Sequence, residues 1–396
     1  MLIAGEPSGD WLAADLVGTL RDQLGNRPVR FYGAGGERMM AAGVELSLDL
    51  TRHSVIGLSE VLRNYAKFRR FFHMLLRQAI HEKPDVVIGI DFGGFNLRFA
   101  QAIRKAASKI PEWSPRIIQY VSPQVWASRA GRAKTLETTH DLLLCILPFE
   151  PAWYAQHAPG LAVEFVGHPI VDRHSAESPT SSRTSAEGEA PRGNVVLLLP
   201  GSRAGELKRH LPVLLPAARR LREEAGATIR MVIPNEHLRA VAELISGDLT
   251  GVDVQVGGLE NALRIATVAI ASTGTVTLEC AWFGVPTVAL YKTSWTTYQI
   301  GRRIVQVRWL AMPNLLANDS VIPEFIQDEA TADHLAQAAL ELLQDPNRRM
   351  QIQKQLRTVV ASLGSPGAAV RASAAILRTV LGHNPTRIES RYDRIE

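Results

Sequence analysis

The feature that most constrains this chain is a rhythm that occurs twice. Short apolar runs alternate with amphipathic stretches: MLIAGE then 11–24, VRFYGAG then 37–42, DVVIGID then 96–107, followed by RIIQYVSP, LLLCILPF and VEFVGHP. Short β-branched runs leading into a 3.6-residue period mark βαβ units, which stack into a parallel sheet covered on both faces. Residues 175–193, SAESPTSSRTSAEGEAPRG, turn abruptly to Ser, Pro, Glu and Gly and read as a linker. The rhythm restarts at NVVLLLPGSR and runs through TIRMVIP, VDVQVGG, VAIASTGT and PTVALYK.

The expected fold is therefore α/β, with two Rossmann-like domains facing a cleft. Residues 1–172 form the first domain, 173–193 the linker and 194–365 the second; a C-terminal helix at about 366–396 returns to the first. At 396 residues the chain is long enough for two cores. Ligands of such sheets sit beyond the carboxyl ends of the strands. The opening strand has few residues before Gly5, so the start of the chain reads as truncated or misassigned.

Composition excludes several classes. Cys145 and Cys280 both lie in apolar runs, without zinc spacing or a disulfide framework, and read as buried thiols of a reducing compartment. No segment approaches the 18 or so uninterrupted apolar residues of a membrane span, and no secretory signal opens the chain, so a cytoplasmic protein is expected. The net charge of +5 is small for this length, and the basic residues come with no nucleic-acid motif. There is no HExxH, CxxC pair or carboxylate cluster, hence no bound metal is expected.

Four strand-to-helix turns could carry chemistry. ASTGTVTLE, 271–279, follows the run VAI; a small-residue turn opening a helix presents unpaired N–H groups and a positive dipole end to a diphosphate, and Glu279, two turns in, could accept ribose hydroxyls. The same layout also serves as an ordinary Ser/Thr helix cap. LPGSRAGE, 199–206, repeats it, with Gly201 for the turn and Arg203 as a phosphate cation. AGEPSGD, 4–10, offers Ser8 or Asp10 as caps, and neither it nor GAGG at 33–36 is a dinucleotide fingerprint, which argues against a dehydrogenase. GIDFGGFN, 89–96, ends a strand on Asp91 beside two glycines and before Asn96, a good N-cap; Asp91 is either a general base or a turn cap. His168, in VGHPIVD, reads as a hinge residue satisfying backbone groups. Basic and aromatic residues gather at 64–78 (NYAKFRRFFHMLLRQ) and 298–310 (YQIGRRIVQVRWL), where Phe68, Phe71, Phe72, Arg302 and Trp309 suit either a bilayer interface or the protein's own core.

Taken in order, AGEPSGD, FYGAGGERM, SVIGLSEVL, IGIDFGGFNL, YVSPQVWASR, LPFE, FVGHP, LLPGSRAGE, ASTGTVTLE, PTVALYK and MPNLLANDSVIPEFIQ make the chain resemble the lipid-A-disaccharide synthases along nearly its whole length. The resemblance implies the two-domain GT-B architecture and an inverting transfer of 2,3-diacylglucosamine from UDP to 2,3-diacylglucosamine 1-phosphate, with a β-1′,6 link formed and UDP released. It implies a peripheral enzyme at the cytoplasmic face of the inner membrane, with no cofactor and no nucleic-acid partner, and leaves a homodimer open.

By that resemblance Arg203 and the turn Thr273, Gly274, Thr275 hold the diphosphate and Glu279 the ribose, with Asn314, Glu324 and Gln327 nearby. Glu6, Ser8 and Asp10 line the acceptor side, and Asp91 takes the proton of the attacking hydroxyl. Three departures matter: the family often carries an acid at Gly94, a Trp at Ser128 and a Ser at Thr273, so Asp91 acts without a helper while Thr273 keeps the hydroxyl. Rival readings are another UDP-sugar GT-B enzyme, such as a UDP-N-acetylglucosamine epimerase, and an inactive nucleotide-sugar or lipid-binding homologue.

Overall fold

A computed structural model describes residues 1–51, 65–175, 194–247 and 249–382. The motif SVIGLSEVL, most of the expected linker and the end of the expected C-terminal helix lie outside the described residues. The chain divides into two compact units, Met1–Arg173 together with the segment from Leu363 onward, and His174–Ser362.

The first unit is built on a parallel sheet of seven strands: β1 (Leu2–Ala4), β2 (Tyr32–Gly35), β3 (Glu45–Asp49), β4 (Val86–Ile90), β5 (Arg116–Tyr120), β6 (Leu142–Cys145) and β7 (Val163–Phe165), in the order β3-β2-β1-β4-β5-β6-β7. The second carries six: β8 (Val195–Leu199), β9 (Thr228–Ile233), β10 (Asp253–Val256), β11 (Val268–Ser272), β12 (Thr287–Tyr291) and β13 (Glu324–Ile326), ordered β10-β9-β8-β11-β12-β13. Helices cover both faces, so the central strands read as continuous apolar runs; every residue of β11 is buried.

Each sheet reverses its winding once. After β1 the chain moves outward through β2 and β3, then returns to lay β4 on the other side of β1, with Leu2, Ile3 and Ala4 opposite Ile88, Gly89 and Ile90. In the second unit the reversal falls between β8 and β11, where Val196 faces Val268 and Leu199 faces Ala271. At such a switch point the loops leaving two neighbouring strands diverge and open a crevice at their carboxyl ends.

The helices follow their sequence signals. Ala204–Ala225 buries Leu207, Leu211, Leu214, Ala218 and Leu221, a 3.6-residue stripe, and stops at Gly226 in the left-handed region. Ala332–Gln344 is capped by Thr331, which accepts from the His334 N–H. Helix Ala368–Leu381 belongs to the first unit, where Ala372, Ala375 and Ile376 share a core with Leu2, Leu16 and Ile90. Its start is fixed by the Asp172 carboxylate, which accepts from the N–H groups of Gly367 and Ala368. Cys145 and Cys280 are buried, and burial pushes the Cys280 thiol up to about 12.

Candidate functional site

In the first unit the reversal point gathers the residues singled out at 4–10 and 89–96. β1 runs into helix Pro7–Leu24 and β4 into helix Gly93–Ala107, and the Ser8 hydroxyl meets the Asp91 carboxylate at 3.4 Å. Gly9 permits this approach: a Cβ there would stand 3.3 Å from the Ile90 carbonyl oxygen and 3.6 Å from the Asp91 Cβ. Asp91 and Phe92 both take left-handed conformations, φ 52° and 43°. Two consecutive non-glycine residues there cost on the order of 1–3 kcal/mol each. The strained turn is pinned by its backbone: the Asp91 N–H donates to the Tyr120 carbonyl, while its own carbonyl accepts from Asn96 and Gln119 side chains at 2.9 and 2.8 Å. Burial raises the Asp91 pKa above the ordinary carboxylate range, against hydrogen bonds from the Phe92 N–H and Ser8 that pull it down.

Two neighbours are placed differently from the sequence expectation. Asn96 is not the N-cap; the helix opens at Gly93 behind Phe92, and Asn96 reaches back to the Asp91 carbonyl from inside the first turn. Asp10 is buried, and its carboxylate accepts from the N–H groups of Gly36, Arg38 and Met39 at 2.8, 3.0 and 3.1 Å. It thus closes the start of helix Glu37–Ala41 rather than lining open space. Ser8 is exposed and Glu6 half-buried at the head of the first helix.

The motifs YVSPQVWASR and LPFE meet just beside this turn. Glu150 is buried and accepts from the Trp126 indole N–H at 2.9 Å and the Leu147 N–H at 3.1 Å, while Ser122 and Tyr154 share a 2.9 Å hydrogen bond. Burial lifts the Glu150 pKa to about 7 from 4.5. The folded state therefore holds a proton that the unfolded chain has lost, and stability falls as pH rises through that window. The denaturation midpoint should drop from about pH 4.5 to 7, and Glu150→Gln should flatten this part of the profile; an unchanged slope in the variant would assign it to other groups.

In the second unit the crevice lies between the turns after β8 and β11. Gly274 (φ 114°) precedes helix Thr275–Trp282, whose first turn has no side-chain cap. Its leading N–H groups and the helix dipole form an anion-receptive end, with Thr273 and Gly274 half-buried and Thr275 exposed. The turn after β8 differs from expectation: Glu206 folds back so that its Oε2 accepts from the N–H groups of Ser202 and Arg203 at 2.8 and 3.2 Å. Those amides are occupied by the protein's own carboxylate. The Arg203 guanidinium is exposed, with Nη1 3.4 Å from Glu206 Oε1.

Buried polar side chains tie these turns to the rest of the sheet edge. His210 accepts from the Lys292 N–H at Nε2 and so carries its proton on Nδ1, 2.7 Å from the Pro200 carbonyl; this joins the ends of β8 and β12. Burial lowers the His210 pKa. Thr277 donates to the Gly274 carbonyl and accepts from the Met312 N–H. Asn314 is fully buried; its Nδ2 donates to the Ile322 carbonyl and Glu324, and its Oδ1 accepts from the Val321 and Ile322 N–H groups, all between 2.9 and 3.2 Å. That uses every bond the amide can make. Glu324 also accepts from Leu310 and Ala311, and Gln327, at φ 57°, pairs with both backbone groups of Thr293. Asn314 is thus a shaping residue with no bond to spare for a ligand.

Glu279 lies on helix Thr275–Trp282 with its Oε2 2.8 Å from Nε2 of His174, a buried residue that sequence reasoning passed over. His174 is seated against Trp282 and Phe283, and its Nδ1 is 3.9 Å from Glu260. His168 accepts from the Ile170 N–H at its Nδ1 and donates its own N–H to the Leu363 carbonyl, which fits a backbone-satisfying role. In helix Tyr65–Glu82 the three phenylalanines are all half-buried: Phe71 and Phe72 pack against the same core cluster, Phe72 edge-on to Phe95 and Phe99, and Phe68 meets Phe71 at 6.2 Å. Arg302 is exposed over the Tyr298 ring, and Trp309 is half-buried beneath Arg308. Among the described residues no group of His, Cys, Asp or Glu is placed to hold a metal ion, and no helix is long and apolar enough to cross a membrane.

The fold has counterparts among solved structures. The UDP-GlcNAc 2-epimerase from Neisseria meningitidis bound to UDP-GlcNAc superposes with a TM-score of 0.57 at 11% identity, covering 96% of this chain and 99% of that one. MurG from Acinetobacter baumannii gives 0.55 at 17%, covering 96% and 99%. At these identities the likeness shows the two-sheet GT-B fold and nothing more. Sequence similarity goes further: the chain is 36% identical over 386 residues to a lipid-A-disaccharide synthase of Geobacter sulfurreducens, covering 95% of this chain and 96% of that one. A second such relative, from Syntrophus aciditrophicus, is 37% identical over 385 residues, covering 96% and 97%. The family model described as lipid-A-disaccharide synthetase matches residues 1–378, so the chain belongs to the lipid-A-disaccharide synthase family of glycosyltransferases.

Proposed function

We propose that the chain transfers 2,3-diacylglucosamine from UDP to the 6-hydroxyl of 2,3-diacylglucosamine 1-phosphate, with inversion, and releases UDP. The observation that carries the catalytic part is the Asp91 turn: a carboxylate of raised basicity, on a pinned backbone, at the carboxyl-end reversal of the first sheet. A base of that kind takes the hydroxyl proton as the oxygen attacks the anomeric carbon. Ser8 steers the carboxylate and Glu6 stands at the head of the same helix, on the acceptor side.

The second unit holds the donor. The uncapped turn Thr273–Thr275 and the exposed Arg203 stabilise the charge that builds on the departing diphosphate without calling on a metal. Glu279, oriented by His174, accepts the ribose hydroxyls, and Asn314, Glu324 and Gln327 keep the rim in shape. Peripheral attachment to the inner membrane at its cytoplasmic face is supported by helix Trp295–Ile304, where Trp295, Arg302, Arg303 and Ile304 are exposed together, the mixture that settles in an anionic interface.

The deciding experiment is incubation with UDP-2,3-diacylglucosamine and 2,3-diacylglucosamine 1-phosphate, followed by mass spectrometry of the lipid fraction. A disaccharide 1-phosphate, with UDP released only when the acceptor is present, is the expected product. Interconversion of a UDP-sugar without acceptor would establish an epimerase, and no turnover of either kind a binding protein.

A further inference from the structure

Three arginines of the first unit, two of them close in sequence and the third on another helix, lie near enough for their charges to interact. Arg98 lies on helix Gly93–Ala107, Arg129 directly follows the short helix Val125–Ser128, and Arg132 opens helix Arg132–Thr139. Their sequence neighbours lock them in place: Leu97, Val125, Ala133 and Leu136 share one apolar cluster, and the Arg132 N–H donates to the Arg129 carbonyl at 2.9 Å. Partial burial, and then the charges of Arg129 and Arg98, depress the basicity of Arg132.

Other basic residues of the same stretch of chain are paired. Arg104 and Arg116 share Asp141 at 2.5 and 3.0 Å, and Lys134 reaches Glu137 at 3.1 Å. Among the described residues none of the three guanidiniums makes a side-chain hydrogen bond or ion pair. Like charges gathered at such a place repel one another, and an anion accepting from several of them relieves that cost. Arg98 is also on the helix that starts at the Asp91 turn, which ties this member of the cluster to the base.

We propose that Arg98, Arg129 and Arg132 form a binding site for a phosphate monoester, the 1-phosphate of the sugar acceptor. The assignment of that phosphate to the acceptor rests on the transfer reaction proposed above. The guanidiniums anchor the sugar at its reducing end, and the alcohol at its other end is left for Asp91.

Arg132→Ala should raise the KM for 2,3-diacylglucosamine 1-phosphate about tenfold or more, the loss of a charge-assisted contact, with the KM for the UDP-sugar unchanged. The same variant should not alter the KM for 2,3-diacylglucosamine lacking the phosphate, and Arg132→Lys should recover part of the loss. Calorimetric titration of the full chain with glucosamine 1-phosphate gives a second readout, in which wild type binds and the double variant Arg98→Ala, Arg129→Ala does not. If no disaccharide forms but this binding depends on the arginines, the reaction is wrong and the phosphate site stands. Equal KM increases for both acceptors, or unchanged KM and binding, would overturn the site. So would a loss of cosedimentation with phosphatidylglycerol vesicles at unchanged KM, which would give the cluster to a lipid headgroup.

Discussion

Asp91→Asn lowers turnover by roughly 10²–10⁴, the worth of a positioned base, and leaves the affinity for UDP unaltered. The substitution keeps the size of the side chain and its capacity to accept from Ser8, and the backbone bonds that pin the turn come from the carbonyl and N–H of residue 91, not from its carboxylate. What it removes is the ability to take a proton. Because burial raises the Asp91 pKa, the wild-type rate should begin to fall at a higher pH than an ordinary carboxylate would dictate as the medium is acidified. The variant should lack that limb. Turnover with purified substrates near the wild-type value would remove Asp91 from the chemistry.

Asn314→Ala should have the largest effect on stability, about 3 kcal/mol or more. Truncation takes the side-chain partner from the Ile322 N–H and carbonyl, leaves the Val321 N–H only its 3.1 Å bond to the Asp319 carbonyl, and deprives Glu324 of a donor. Unpartnered buried groups cost about 1–3 kcal/mol apiece, less than additively. Hydrogen exchange reads the change where it arises: protection at the Val321 and Ile322 amides should collapse, while that of β1 and β4 stays. A variant that keeps protection at both amides would show that the loop holds its shape without the side chain.

The architecture was legible from periodicity because buried parallel strands leave continuous apolar runs. Two strands were not. β3 carries Glu45 and Asp49 at the sheet edge, where half-exposed positions tolerate charge, and β13 is only Glu324–Ile326, too short to impose a period. At the candidate site the turns were readable from their glycines and their places after apolar runs. What each polar group serves was not. Asp10, Asn314 and Glu206 have the composition of ligand contacts, yet each is consumed by backbone N–H groups of loops distant or near in sequence, a matter of tertiary geometry. His174 left no local pattern, since its partner Glu279 is 105 residues away, and Arg98 lies on a different helix from Arg132.

The division of the first unit into two stretches of chain bears on its birth. Its core takes Ala372, Ala375 and Ile376 from the far side of the whole second unit. During synthesis the amino-terminal sheet leaves the ribosome with one flank bare, while the continuous second unit can complete its own core as it emerges. The nascent amino-terminal half is thus the portion that a chaperone would have reason to shield, for as long as it takes to translate nearly two hundred further codons.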